Sequence, residues 1–135
     1  MVLTLLTALP LATAWVEAHE ATILANGVPL TAHQAFDAHL AGVKNPRRVR
    51  VMKTEFIPTP LNPVLAQANE KLGLVSPLTV GITFGFGIYI REDLWDDRPL
   101  LVHELVHVGQ YERYGSIEAF LQDYLNECLT TGYPH

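Results

Sequence analysis

Two histidines four positions apart, His103 and His107, bracket a glutamate in the run His103-Glu104-Leu105-Val106-His107. These residue types at this spacing point to metal-assisted hydrolysis. On a helix, four residues advance by about 400°, so both imidazoles stand on one face, one turn apart, where they can pinch a single zinc ion. Glu104 falls about 100° round from His103, beside the ligands, where its carboxylate can take a proton from an attacking water. Zinc lowers the pKa of the water it binds toward about 7, which makes hydroxide available near neutral pH. Such histidines also occur as hydrogen-bonded core residues of an apolar helix, and that is the alternative to a metal site. Tyr111, one turn beyond His107, points the same way and is a candidate for holding a substrate carbonyl. Its alternative is a partly buried aromatic with its hydroxyl in water.

The run needs a helix, and the surrounding residues predict one. Asp96 and Asp97 followed by Pro99 mark a start, the helix runs from about Arg98 to Tyr114, and Gly115 breaks it. Leu101, Val102, Leu105, Val106 and Val108 supply its apolar side, leaving the histidine and glutamate face to line a cleft. Ser116 recaps the chain, and Ile117, Phe120, Leu121, Tyr124 and Cys128 give the stripe of a final helix ending near Gly132. Upstream, the β-branched and aromatic residues from Thr79 to Ile90 predict strand, interrupted by Gly81, Gly85 and Gly87. Those glycines fit either a hairpin bend or a strand facing a ligand. A second strand is predicted over Arg48 to Ile57, between Pro46 and Pro58. Helices are predicted over Ala12 to Leu24, from Thr31 through Leu40 with Gly42 as the stop, and over Pro63 to Leu72. The expected fold is therefore α+β, with a small, largely antiparallel sheet packed on the His103–His107 helix and its successor. The strand preceding that helix would form the edge of the cleft, where an extended peptide can add by backbone hydrogen bonds.

At 135 residues and 49% hydrophobic content, the chain suits one domain spanning 1–135. A net charge of -5 leaves no basic surplus for a phosphate backbone, so nucleic acid is not an expected partner despite the local Arg47, Arg48 and Arg50. The single cysteine, Cys128, excludes an internal disulfide and reads as a small core residue. Leu3 to Ala14 is apolar and ends in Ala12-Thr13-Ala14, like a cleavage site, yet no Lys or Arg precedes Lys44 and Pro10 interrupts the stretch. We read it as an N-terminal core segment, with a cytoplasmic setting favoured over a secreted one and no stable membrane insertion. His19, His33 and His39 lack metal spacing and are assigned surface or capping roles, and Arg91, Glu92 and Asp93 a polar turn. Oligomeric state is not legible in these residues.

From the Thr79 strand onward the chain resembles the zincin metallopeptidases, on the strength of His103-Glu104-Leu105-Val106-His107. Among zincins it is similar to the gluzincins, whose third ligand is a glutamate on the next helix. The pair Asn126-Glu127, with Glu127 twenty residues after His107, looks like the Asn-Glu pair of thermolysin-like enzymes. The longer run from His103 to Gly115 also resembles a family of uncharacterised bacterial metal-dependent proteins. The resemblance implies a zinc peptidase acting on a peptide or protein substrate, with His103, His107 and Glu127 on the metal and Glu104 as general base. It departs at Thr131, where thermolysin-like proteins carry an aspartate. The bacterial proteins continue past the counterpart of Tyr133-Pro134 into a Pro-Leu-Glu segment, a second source for the third ligand. On helical geometry Glu127 lies at the edge of the last helix's apolar face, where it reads equally as a ligand or a solvated charge. The other candidate ligands fit less well. Asp123 points further to solvent, Glu118 suits a first-turn residue, and His135 is terminal.

Overall fold

The computed structural model describes residues 2–72, 75–76 and 78–131. Among them, five α-helices and a four-stranded mixed sheet make an α+β fold. In chain order these are α1 (Val2–Asn26), β1 (Val28–Pro29), α2 (Ala32–Leu40), β2 (Arg50–Thr54) and α3 (Pro63–Leu72). There follow the hairpin strands β3 (Gly81–Phe84) and β4 (Gly87–Arg91), then α4 (Arg98–Tyr114) and α5 (Ile117–Thr131).

Helix α1 begins ten residues before the expected Ala12 and runs through Pro10. An interior proline costs a helix about 3 kcal/mol. Here the ring is exposed, while Ala8, Leu9, Leu11 and Ala12 pack against Leu65 and Ala68 of α3 and Leu125 of α5. Burial of that apolar surface, at roughly 25 cal/mol per Å², offsets the loss. Ala8 and Val16, with Leu9, Leu11, Ala12 and Trp15 packed beside them, are thus part of the core, and among the described residues no helix is long and apolar enough to cross a membrane. The start of α2 follows its sequence signal closely. Thr31 accepts from the Gln34 backbone while the Gln34 side chain accepts from the Thr31 backbone, a complete capping box.

The sheet order is β1-β2-β4-β3. Its longest ladder, five residue pairs between β2 and β4, is parallel, and the antiparallel ladders β1–β2 and β3–β4 flank it. This corrects the expectation of a largely antiparallel sheet. The hairpin turn at Gly85 and Phe86 makes β3 and β4 antiparallel, and it is β4, not β3, that lies against β2. Gly85 has φ +65 and, among the described residues, no non-glycine residue has positive φ, so the bend is of the type II′ kind, with glycine at its first position. The hairpin reading of the glycines is the one the fold adopts at Gly85. Strand β2 is shorter than the predicted Arg48 to Ile57, because Pro46–Arg48 closes a 3-10 turn and Phe56 is exposed.

Alternation along the strands sends side chains to two helical layers. Phe84 and Tyr89 meet α1 through Val16 and Ile23, and Ile117 and Leu121 of α5 join that cluster. Val51, Ile88 and Ile90 meet α4 through Leu101, Leu105 and Val108. Strand β3 lies at one edge of the sheet, in contact with α4.

Candidate metal and acid-base site

Helix α4 is fixed at both ends before any functional residue is considered. The Asp97 carboxylate accepts from the Leu100 backbone N at 2.9 Å, Pro99 occupies the first turn, and Gly115 closes the last turn at φ +80. Leu105 and Val108, both fully buried, and Leu101 form the stripe that faces the sheet. Burying each such side chain stabilises by about 1.5–3 kcal/mol. Arg98 ties the first turn to α2 through a bidentate pair with Asp37, at 2.9 and 2.8 Å. Val106 was expected on the covered side and is instead 40% exposed, since the sheet covers the stripe one step round the helix.

With the helix held this way, His103 and His107 emerge together. Their ring centroids are 4.9 Å apart, with His103 exposed and His107 half-buried. His107 Nδ1 lies 2.8 Å from Gln110 Oε1. Since an amide oxygen only accepts, Nδ1 carries the proton and donates, which leaves the Nε2 lone pair for a metal. The spacing of Gln110, three residues on, was a readable signal for this partner.

Glu104 turns inward from the pair. It is 5% exposed, and its Oε1 accepts from the Thr83 hydroxyl at 2.8 Å. The same Thr83 Oγ1 lies 3.0 Å from the Glu104 main-chain oxygen. Burial pushes the Glu104 carboxyl above its ordinary value, and the Thr83 hydrogen bond and the two nearby imidazoles oppose that rise. A carboxyl raised in this way and placed next to two imidazoles is poised to hold and release a proton. Sequence reasoning missed Thr83, twenty-one positions upstream. Its one signal was a hydroxyl among the apolar residues of a strand, at a position that faces Ile88 and Ile90 and hence α4.

A cavity of about 320 Å³ opens along β3, lined by His103, Glu104 and His107 on one side and by aromatic residues such as Trp15, Phe84 and Phe120 on the other. Tyr111 lines it too, at 8% exposure, with its ring stacked on Phe120 at 4.0 Å. Burial raises its hydroxyl pKa, and the residue packs as a core aromatic. Glu127 is exposed and shares with His107 the lining of a second cavity of about 450 Å³. The Tyr114 hydroxyl donates to Asp123, which lines the same cavity. Glu118 is exposed in the first turn of α5, and His135 lies outside the described residues, as do Gly132 and the side chain of Cys128.

His19 departs from the surface role expected of it. Its ring stacks on Phe84 at 5.1 Å, meets Trp15 edge-on at 4.9 Å, and sets Nδ1 3.2 Å from the Tyr89 hydroxyl. The helical period placed it on the α1 face that the sheet covers, which capping logic did not consider. His33 and His39 are exposed, as expected, and Arg91 and Asp93 form the expected polar turn through a bidentate pair.

The donor chemistry of His103 and His107 fits half a zinc site, with two imidazoles one turn apart and one ring already oriented by an amide. Among the described residues, no group of three His, Cys, Asp or Glu side chains stands ready to hold a metal, and Glu127 is related to the pair through the cavity whose lining it shares with His107. Compared with known protein families, curated proteins and solved structures, the chain matches none.

Proposed function

We propose that this chain is a zinc-dependent hydrolase of the zincin type, acting on peptide bonds, with His103 and His107 as metal ligands and Glu104 as general base. The observation that carries the reading is the convergence, on one helix beneath an edge strand, of two exposed or half-exposed imidazoles and a buried carboxyl with a raised pKa. Zinc, when bound, supplies Lewis-acid polarisation of the scissile carbonyl and acidifies water. The chain's own residues account for the rest. Glu104 accepts a proton from the attacking water and later delivers it to the leaving amine. An extended substrate would add along the outer edge of β3, the edge strand whose residues line the cavity. Glu127, in the cavity it shares with His107, is the proposed third ligand.

Measuring zinc content and peptide turnover for the wild type and Glu104→Gln tests this. The wild type should carry close to one zinc per chain and cleave casein or a mixed peptide library. Glu104→Gln should keep the metal and lose turnover. No zinc after reconstitution, or equal turnover in both proteins, refutes the proposal. A second reading, a zinc-stabilised binding domain without catalysis, draws on the inward hydrogen bond of Glu104 to Thr83, which also locks α4 to β3. In that case the wild type binds zinc and cleaves nothing, and Glu104→Gln lowers stability alone.

A further inference from the structure

We propose that Thr83 is the positioning residue for Glu104, so that the edge strand beside which a substrate would lie also sets the direction of the general base; this rests on the hydrolase reading above. A glutamate side chain has three rotatable torsions and on its own would sample several orientations in the cleft. One contact from β3 restrains it, and one clearance on the same strand accommodates it. The Thr83 hydroxyl holds Oε1 at 2.8 Å, from a β-branched side chain whose χ1 is stiff and whose strand is paired to β4. Two residues earlier, Gly81 leaves room for the other oxygen, because a Cβ there would lie 3.3 Å from Glu104 Oε2.

Thr83 is 7% exposed and Glu104 5%, so water does not compete for this bond. The hydroxyl has one proton and two acceptors in reach, Oε1 and the Glu104 main-chain oxygen at 3.0 Å. An ionised carboxylate is the stronger acceptor and takes that proton. Thr83 thereby fixes Oε1, and with it the direction of the carboxylate, leaving Oε2 for proton exchange with water.

Thr83→Val removes the hydroxyl at nearly constant shape, and Thr83→Ser restores it. For each we would measure zinc content, KM and kcat on the mixed peptide library, and determine the crystal structure of the metal-free protein. Thr83→Val should keep its zinc and its KM and lose about ten- to a hundredfold in kcat, while Thr83→Ser stays within about threefold of wild type. In the metal-free crystals, the Glu104 carboxylate should keep its place in Thr83→Ser and leave it in Thr83→Val. A Thr83→Val protein with wild-type kcat, or an unmoved carboxylate, overturns the proposal, as does an equal loss of kcat in both variants. A wild type that cleaves no peptide overturns the hydrolase reading instead, and the crystals then decide alone whether Thr83 holds Glu104.

Discussion

Gly81 and Gly87 belong to one hairpin yet face opposite layers, so the same added methyl group should have different consequences at the two positions. At Gly81 a Cβ would lie 3.2 Å from Leu100 Cδ1 and 3.3 Å from both Glu104 Oε2 and Ile90 Cδ1. Carbon contacts are optimal near 3.5–4.0 Å, so each neighbour must retreat by a few tenths of an ångström. All three atoms are tips of side chains and can do so. Overpacking costs about 1–3 kcal/mol, and replacing glycine returns about 0.4–1 kcal/mol through the unfolded chain, so Gly81→Ala should lose less than about 2 kcal/mol. Turnover should suffer more. A misplacement of about 1 Å costs about 10² in rate, so a shift of a few tenths at Glu104 should lower kcat roughly three- to tenfold. At Gly87 the Cβ would lie 2.9 Å from Ile23 Cβ and 3.0 Å from its Cγ2 and Cδ1. Ile23 is fully buried, its Cβ moves only with the α1 backbone, and β4 is held by strands on both sides. Gly87→Ala should therefore sit at the upper end of the overpacking range and lose about 2 kcal/mol or more net, lowering Tm by roughly 6–12 °C. Urea and thermal unfolding of both variants, with kcat for each, provide the assay. A Gly87→Ala protein as stable as wild type, or a Gly81→Ala protein less stable than Gly87→Ala, refutes this placement of the two glycines. Part of the Gly87→Ala cost should vanish in an Ile23→Ala background, because the two residues touch.

Two pH dependences follow from groups distant from the proposed metal ligands. Burial lowers the His19 pKa below its ordinary 6.5, so the unfolded chain binds a proton that the folded one resists. Its effect is absent well above pH 6.5, destabilises increasingly as pH falls through that value, and levels off below the folded pKa; the stability difference between wild type and His19→Gln, measured by urea unfolding from pH 8 to 5, should show that slope, and a flat difference would contradict it. Asp37 behaves oppositely, because the hydrogen-bonded guanidinium of Arg98 holds its carboxyl below the ordinary 3.8. The wild-type advantage over Arg98→Gln should be constant from pH 7 to about pH 4 and then disappear as pH falls through the folded pKa; an advantage that persists in strong acid would show that the pair is not its source.

The sequence by itself determined the local features, because their causes are local. The Asp97 and Thr31 caps rest on side chains bonding backbone groups a few residues away, the Gly115 stop on a left-handed backbone whose N–H donates to the Tyr111 and Glu112 carbonyls, and each lies where the residues placed it. The same holds for the His103 and His107 pair, whose approach is a property of helical pitch alone. Periodicity says which face of an element is apolar and is silent on which partner covers it. The parallel β2–β4 ladder, the burial of His19 among Trp15, Phe84 and Tyr89, and the continuation of α1 through Pro10 were therefore decided only by packing between segments distant in the chain. The partner of Glu104 belongs to that second group. Its charge and position were legible in five residues, whereas Thr83 reaches it only because β3 takes the edge of the sheet under α4, and no spacing in the chain encodes that meeting.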